Sequence, residues 1–231
     1  MIEMLNCDCM EFLKNTPDKA FELAIVDPPY NVGASDGMFG ARKEGKHSSQ
    51  YSGLKHYANH DSTPTQLYFD ELFRVSKNQI IWGANYYPEY LHHSGWIVWD
   101  KLTTGPLSDC ELAFQSLNKL VEKFTSAWTG FNKGNKEERE TERIHPNQKP
   151  VSLYRWMLQK YAKPGDHILD THGGSGSICI ACHDLGYDLT WMELDADYYK
   201  AACERYQRHA AQGSLFDPQE VRSKPVEHEL F

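Results

Sequence analysis

The sequence predicts an α/β fold, a mostly parallel sheet with helices on both faces, from three observations. Strand-like and helix-like segments alternate along most of the chain, which suits a parallel sheet better than a sandwich or a bundle. Several short apolar runs stop abruptly at a carboxylate or a glycine, as Leu23-Ala24-Ile25-Val26 stops at Asp27. One of these runs leads through a glycine-rich turn into a helix. With 231 residues and 40% apolar content, the chain can build one sizeable core.

Taken in order, Asp8 and Glu11 form a D-x-x-E pattern that opens a short helix ending near Thr16-Pro17-Asp18. Phe21 to Val26 follow as a buried strand. Residues 31 to 64, rich in Gly, Ser, His and Asn, show little periodicity and read as a long loop, and loops of that length are usually functional. Tyr68 to Val75 are amphipathic. Gln79 to Trp82 read as a strand closed by Gly83, and Trp96 to Trp99 as another that ends at Asp100-Lys101. From 103 to 144 the pattern weakens, with short strands expected at Leu112 to Phe114 and Lys119 to Phe124, then a polar loop from Asn132 to Arg143. Val151 to Tyr161 is a helix, Pro164-Gly165 a turn and His167 to Leu169 a buried strand. Ser177 to Leu185 is a helix stopped by Gly186, Leu189 to Met192 a strand, and Ala196 to Ala211 a long helix. Residues 1–211 are therefore expected to form one domain and residues 212–231 a flexible polar tail.

Composition removes several functions. No stretch approaches the roughly 20 apolar residues of a membrane helix, and Met1-Ile2-Glu3-Met4 lacks the basic start of a signal peptide, so a cytoplasmic location is expected. The six cysteines are then expected to stay reduced. Cys179-Ile180-Ala181-Cys182-His183 matches the haem-attachment pattern but falls inside an expected helix, where packing is the simpler role; no metal is expected. The net charge of −8 lacks the overall basic footprint of a nucleic-acid binder. A local positive surface is expected only where Arg42, Lys43, Lys46 and Lys55 outnumber Asp36 and Glu44.

Two strand ends carry chemistry. In Asp170-Thr171-His172-Gly173-Gly174-Ser175-Gly176, glycines let backbone amides approach a ligand closely at a helix start. Glu193, at the end of the following strand, is placed to accept hydrogen bonds from ribose hydroxyls. On their own these features admit a nicotinamide, a flavin or a methyl donor with an adenosine tail. Asp27-Pro28-Pro29-Tyr30 narrows the choice. Its prolines restrict the backbone, so that a carboxylate, the Pro28 carbonyl and a flat ring surround one point at the sheet edge. Asp27 and the Pro28 carbonyl can each accept one hydrogen bond from an exocyclic amine while Tyr30 stacks on its ring.

The tetrapeptide together with the glycine loop and Glu193 resembles the S-adenosylmethionine-dependent DNA amino-methyltransferases, more narrowly the adenine-specific members of the permuted β-type group. Asn6-Cys7-Asp8-Cys9 resembles the family's short acidic motif near the cofactor adenine, and His145-Pro146-Asn147-Gln148-Lys149-Pro150 its H-P-x-Q-K-P motif. Ile80 to Tyr86 and Trp96 to Lys101 are similar to phage and prophage members. The resemblance implies a Rossmann-like methyltransferase fold with a mostly parallel seven-stranded sheet. It further implies cofactor contacts from Asp8, Cys9, Lys149, Asp170, His172, Gly174, Ser175, Gly176 and Glu193, and catalysis by Asp27, Pro28, Pro29 and Tyr30. His172 stands where phenylalanine is usual and Ser177 where threonine is common; His172 is read as a neutral ring packed beside the cofactor.

The implied reaction is methylation of the adenine amino group in double-stranded DNA after base flipping, with residues 31–64 and 103–144 as recognition loops. Alternatives are the same transfer to cytosine, whose enzymes more often begin the tetrapeptide with serine, and a DNA-binding protein of this fold without turnover. Family members often dimerise, so a homodimer is among the expected assemblies. Gln212, Leu215 and Phe216 resemble the Q-x-x-L-F peptides that bind sliding clamps, although packing of Leu215 and Phe216 back onto the domain is the preferred reading.

Overall fold

The apolar runs of the sequence become neighbouring strands of one sheet. The computed structural model describes residues 1–30, 63–92, 95–103, 108–128 and 143–212. Its strands are β1 (Ile2–Asn6), β2 (Phe21–Val26), β3 (Ser76–Trp82), β4 (Gly95–Asp100), β5 (Cys110–Gln115), β6 (Val121–Thr125), β7 (His167–Asp170) and β8 (Asp188–Glu193). They lie in the order β1-β8-β7-β2-β3-β5-β4-β6. Of these strands, β5 alone runs against its neighbours, β3 and β4; every other adjacent pair is parallel.

The helices are α1 (Cys9–Asn15), α2 (Gln66–Val75), α3 (Val151–Tyr161), α4 (Ser177–Leu185) and α5 (Ala196–Ala211). Both sheet faces are covered, which explains why the inner strands read as continuous apolar runs rather than as alternation. In β2, Leu23 and Ile25 join the core formed with α3 and α4, while Ala24 and Val26 join the core formed with α1 and α2. Local signals set the helix ends. The Asp8 side chain accepts from the Met10 amide at 2.8 Å, and Gly186, at φ 66°, stops α4 in the left-handed conformation.

The sheet has eight strands among the described residues, one more than the seven expected. The addition is β1. Among the described residues it lies at the edge and pairs only with β8, and its half-buried alternation with Glu3 and Asn6 lacks the apolar run that marks the inner strands. Cys179 and Cys182 are fully buried within α4, consistent with packing residues. Arg42, Lys43, Lys46, Lys55, Leu215 and Phe216 lie outside the described residues, as do 31–62, 104–107 and 129–142 of the expected recognition loops. Among the described residues no helix is long and apolar enough to cross a membrane.

Candidate active site at the carboxyl edge of the sheet

Because β1, β8, β7 and β2 are adjacent and parallel, the residues that follow them emerge along one edge. That edge collects Asp8, Glu193, Asp170 and Asp27 from four separate stretches of sequence. Open α/β sheets place ligands at this edge.

At the β2 end, Asp27 is held by an ion pair between its Oδ2 and the Nζ of Lys149. Lys149 lies 3.3 Å from Glu111 Oε2 at the start of β5 and 5.4 Å from the centre of the Trp82 ring. Lys101 pairs with the other oxygen of Glu111. Burial raises the Asp27 carboxyl above its usual range, against the pull of Lys149. Burial opposes the charge on Lys149 as well, but Asp27 and Glu111 outweigh it and keep the ammonium form. Asp27 Oδ1 is buried and has no hydrogen-bond partner among the described residues. An unsatisfied buried carboxylate oxygen is costly, so this atom is an open acceptor for an incoming N–H.

The two prolines are fixed from behind. Tyr87 follows the short 3-10 turn Ala84–Tyr86, and its hydroxyl reaches the carbonyls of Pro28 at 3.0 Å and Pro29 at 2.9 Å. A carbonyl oxygen has two lone pairs, so Pro28 keeps one for a second donor. The Tyr30 ring stacks on Tyr86 with centroids 4.6 Å apart and planes 6° apart. Gly83 makes this contact feasible, since a Cβ there would stand 2.6 Å from Tyr30 Cδ1.

The β7 and β8 ends are assembled differently. Glu193 accepts from the Gly174 amide at 2.8 Å and the Asp195 amide at 2.9 Å, so it joins the glycine loop to the start of α5. Each of its oxygens retains acceptor capacity. Asp195, rather than Glu193, caps α5, accepting from the amides of Asp197 and Tyr198. Asp170 accepts from the His172 amide at 3.1 Å, and its burial lifts its pKa to about 8. Gly173 passes against Trp191 so closely that a Cβ would lie 1.8 Å from the indole, and Gly174 has φ +54°. Side chains are disfavoured at these two positions, by contact at Gly173 and by backbone conformation at Gly174.

His172 packs edge-on against Tyr68, and its Nδ1 lies 2.9 Å from Thr171 Oγ1. Cys9 Sγ lies 4.0 Å from its Nε2. Burial lowers the pKa of His172 to about 4 and raises that of Cys9 to about 12, so both are neutral at ordinary pH. Ser175 turns inward, 3.1 Å from Ser177 Oγ, and the buried Arg205 of α5 donates to the Ser175 carbonyl and to Ser177 Oγ, each at 2.9 Å. Ser177 in turn donates to the Lys149 carbonyl at 2.8 Å.

The structure thus separates the site residues into two clusters. Asp8, Cys9, Asp170, His172, Gly174, Ser175, Gly176 and Glu193 surround the glycine loop, whereas Asp27, Pro28, Pro29 and Tyr30 lie at the end of β2. Lys149 departs from its expected place. Its backbone touches the glycine loop through Ser177, but its side chain ends on Asp27, because among the described residues the carboxylates paired with its ammonium are Asp27 and Glu111. Glu111, Tyr87 and Arg205 do not stand out in the sequence, and Tyr86 and Lys101 do so only as the last residues of two stretches similar to phage members, with no role attached. Their signals are weak: a lone acid beginning a strand, an arginine within a polar helix and a tyrosine pair after a glycine.

Comparison with known proteins gives a consistent picture. Residues 93–204 match the model of a family described as DNA methylase, a span that includes Glu111, Lys149, the glycine loop and Glu193 but not Asp27. The Type II methyltransferase M.HpaI of Haemophilus parainfluenzae is 25% identical over 250 residues, covering 89% of this chain and 74% of that protein. Among solved structures, TTHA0409, a putative DNA modification methylase from Thermus thermophilus complexed with S-adenosyl-L-methionine, superposes with a TM-score of 0.54. It is 17% identical, over 90% of this chain and 95% of that one. The PvuII DNA methyltransferase, cytosine-N4-specific, also gives 0.54 at 13% identity, over 95% and 89% of the two chains.

Proposed function

We propose that the chain is a DNA methyltransferase of the N6/N4 family, using S-adenosylmethionine to methylate the exocyclic amino group of adenine in double-stranded DNA. The residues at the β7 and β8 ends fit that cofactor. Buried Asp170 gains a counter-ion from a cationic donor, Glu193 has lone pairs left for ribose hydroxyls, and the bare backbone at Gly173 and Gly174 admits close approach. When bound, the cofactor supplies an electrophilic methyl group on a sulfonium.

The observation that carries the proposal is the open Asp27 Oδ1 beside an Oδ2 locked by Lys149. An adenine amine is a poor nucleophile because its lone pair is delocalised into the ring. Hydrogen bonds from its two N–H groups to Asp27 and to the remaining lone pair of Pro28 favour a pyramidal nitrogen, and hold it for in-line attack. As the N–C bond forms, the nitrogen gains positive charge beside a carboxylate, and Asp27, its proton affinity raised by burial, takes the released proton. The target base must first leave the duplex, at a cost of a few kcal/mol that stacking on Tyr30 offsets in part.

Labelled methyl transfer to unmethylated genomic DNA, read by nucleoside mass spectrometry, tests the assignment. N6-methyladenine is expected, with Asp27→Ala lowering the rate about 10³-fold or more. N4-methylcytosine would move the target to cytosine, the reaction of the PvuII enzyme. Asp27 at the head of the tetrapeptide favours adenine. The proposal also gives phosphate contacts to Arg42, Lys43, Lys46 and Lys55 and sequence reading to loops within 31–64 and 103–144. Substituting Arg42 and Lys43 with alanine then reduces the salt slope of DNA binding by about two; an unchanged slope removes that loop from the interface.

A further inference from the structure

Glu111 and Lys101 have no task in the reaction as described. Glu111 is near the beginning of β5, opposite Trp99 of β4. Since β5 runs against β3, its beginning falls at the edge where the parallel strands end, and Glu111 meets Lys149 there. The result is a row of four charges of alternating sign, Asp27, Lys149, Glu111 and Lys101, joined by consecutive ion pairs. Indole faces support both cations, with Lys149 over Trp82 at 5.4 Å and Lys101 over Trp99 at 5.1 Å.

Methylation of an amine releases a proton. The N–H bond of the methylated nitrogen breaks, its electron pair remains on nitrogen, and the proton passes to Asp27. If Asp27 were the sole partner of Lys149, that step would strand a buried ammonium, a state costly enough to resist proton uptake. A second anion in contact with Lys149 removes the difficulty. We propose that Glu111 is a positioning residue for methyl transfer: acting through Lys149, it orients Asp27 and keeps the ammonium paired while Asp27 gains and loses a proton, and Lys101 tempers its pull. No bond to Lys149, Glu111 or Lys101 changes during the cycle. The inference rests on the amino-methyltransferase reading.

The groups that face Asp27 are Lys149 from the segment before α3, Tyr154 from α3, Tyr30 from its own loop, Glu111 and Lys101 from the β5 and β4 side, and Asp170 from β7. Glu111 raises the proton affinity of Asp27, whereas Lys101 and Lys149 lower it. Removing Glu111 or Lys101 therefore produces shifts of opposite sign, a pattern that general loosening of the fold would not give.

The test is the pH profile of single-turnover methyl transfer for wild type, Glu111→Gln and Lys101→Gln, with cofactor affinity from titration calorimetry and thermal melting as companions. Glu111→Gln is expected to move the acid limb to lower pH and reduce the plateau rate about tenfold or more. Lys101→Gln is expected to move the limb to higher pH, and both variants should bind cofactor within about twofold of wild type. Folded variants with unshifted acid limbs, or limbs shifted in the same direction, overturn the inference while wild-type methylation stands. Absence of any methylated base from the wild type overturns the parent reading instead. Should Glu111→Gln fail to fold, Lys101→Gln remains decisive against the inference: an acid limb that stays in place or moves to lower pH overturns it.

Discussion

The two halves of the carboxyl edge solve the same problem by opposite means. The β2 end is organised by charge, with Asp27 fixed through buried ion pairs to Lys149 and beyond. The β7 and β8 ends are organised by backbone, with Glu193 held by two amides, Asp170 by one, and neutral rings packed around the loop. The difference follows what each half must accommodate. In the proposed reaction, a carboxylate that exchanges a proton each cycle needs mobile compensation, whereas a cationic cofactor brings its own charge and needs only shape and acceptors.

Removing charge should therefore damage the first half most. Lys149→Met leaves Asp27 and Glu111 buried without their shared cation, and is expected to lower stability by about 3–5 kcal/mol. A denaturation midpoint near that of wild type would show that the ionic half is not organised by this lysine.

Next in size is an effect of pH on the second half. The pKa of Asp170 is raised from 3.8 to about 8 by folding, so the folded chain binds a proton that the unfolded chain gives up. The penalty is absent below the unfolded value, grows as pH rises between the two values and is complete above the folded one. Asp170→Asn should accordingly gain stability on wild type between pH 4 and pH 9, by on the order of a few kcal/mol at the top, read from melting temperatures across the range. Its cofactor affinity should fall, because the donor's positive charge loses its partner. A constant difference in melting temperature across that range would contradict the expected sign.

The smallest effect expected is on affinity alone. Glu193→Ala removes an acceptor for the Gly174 and Asp195 amides, and is expected to weaken cofactor binding about 10- to 100-fold. At saturating cofactor its methyl-transfer rate should fall less than tenfold. A larger loss of rate than of affinity would mean that the two halves are more tightly coupled than their separate construction suggests.

What was legible in the sequence follows the same division. The inner strands, the α4 stop at Gly186 and the glycine loop were readable because each depends on a local pattern: a continuous apolar run, a left-handed residue, a helix start. The edge strand β1 was not, since five half-exposed residues carry too little of either pattern. The ionic row was invisible for a different reason. Its members come from the ends of β2 and β4, from β5 and from the segment before α3, and only the reversal of β5 brings Glu111 to them. Lys149 is marked by its motif, yet nothing local says which of two neighbouring clusters its long side chain enters. Arg205 shows the same limit, an arginine in a polar helix that proves to be buried against Ser175 and Ser177.

Trp191 lies against the backbone of Gly173, and Trp82 lies beneath the Lys149 ammonium. Each half therefore contains its own fluorophore. Indole emission responds to a nearby charge and to a change in packing, so a variant retaining only Trp191 would report cofactor arrival, and one retaining only Trp82 would report the state of the Asp27 pair. Followed side by side in a stopped-flow instrument, the two signals would give the order in which the halves are filled.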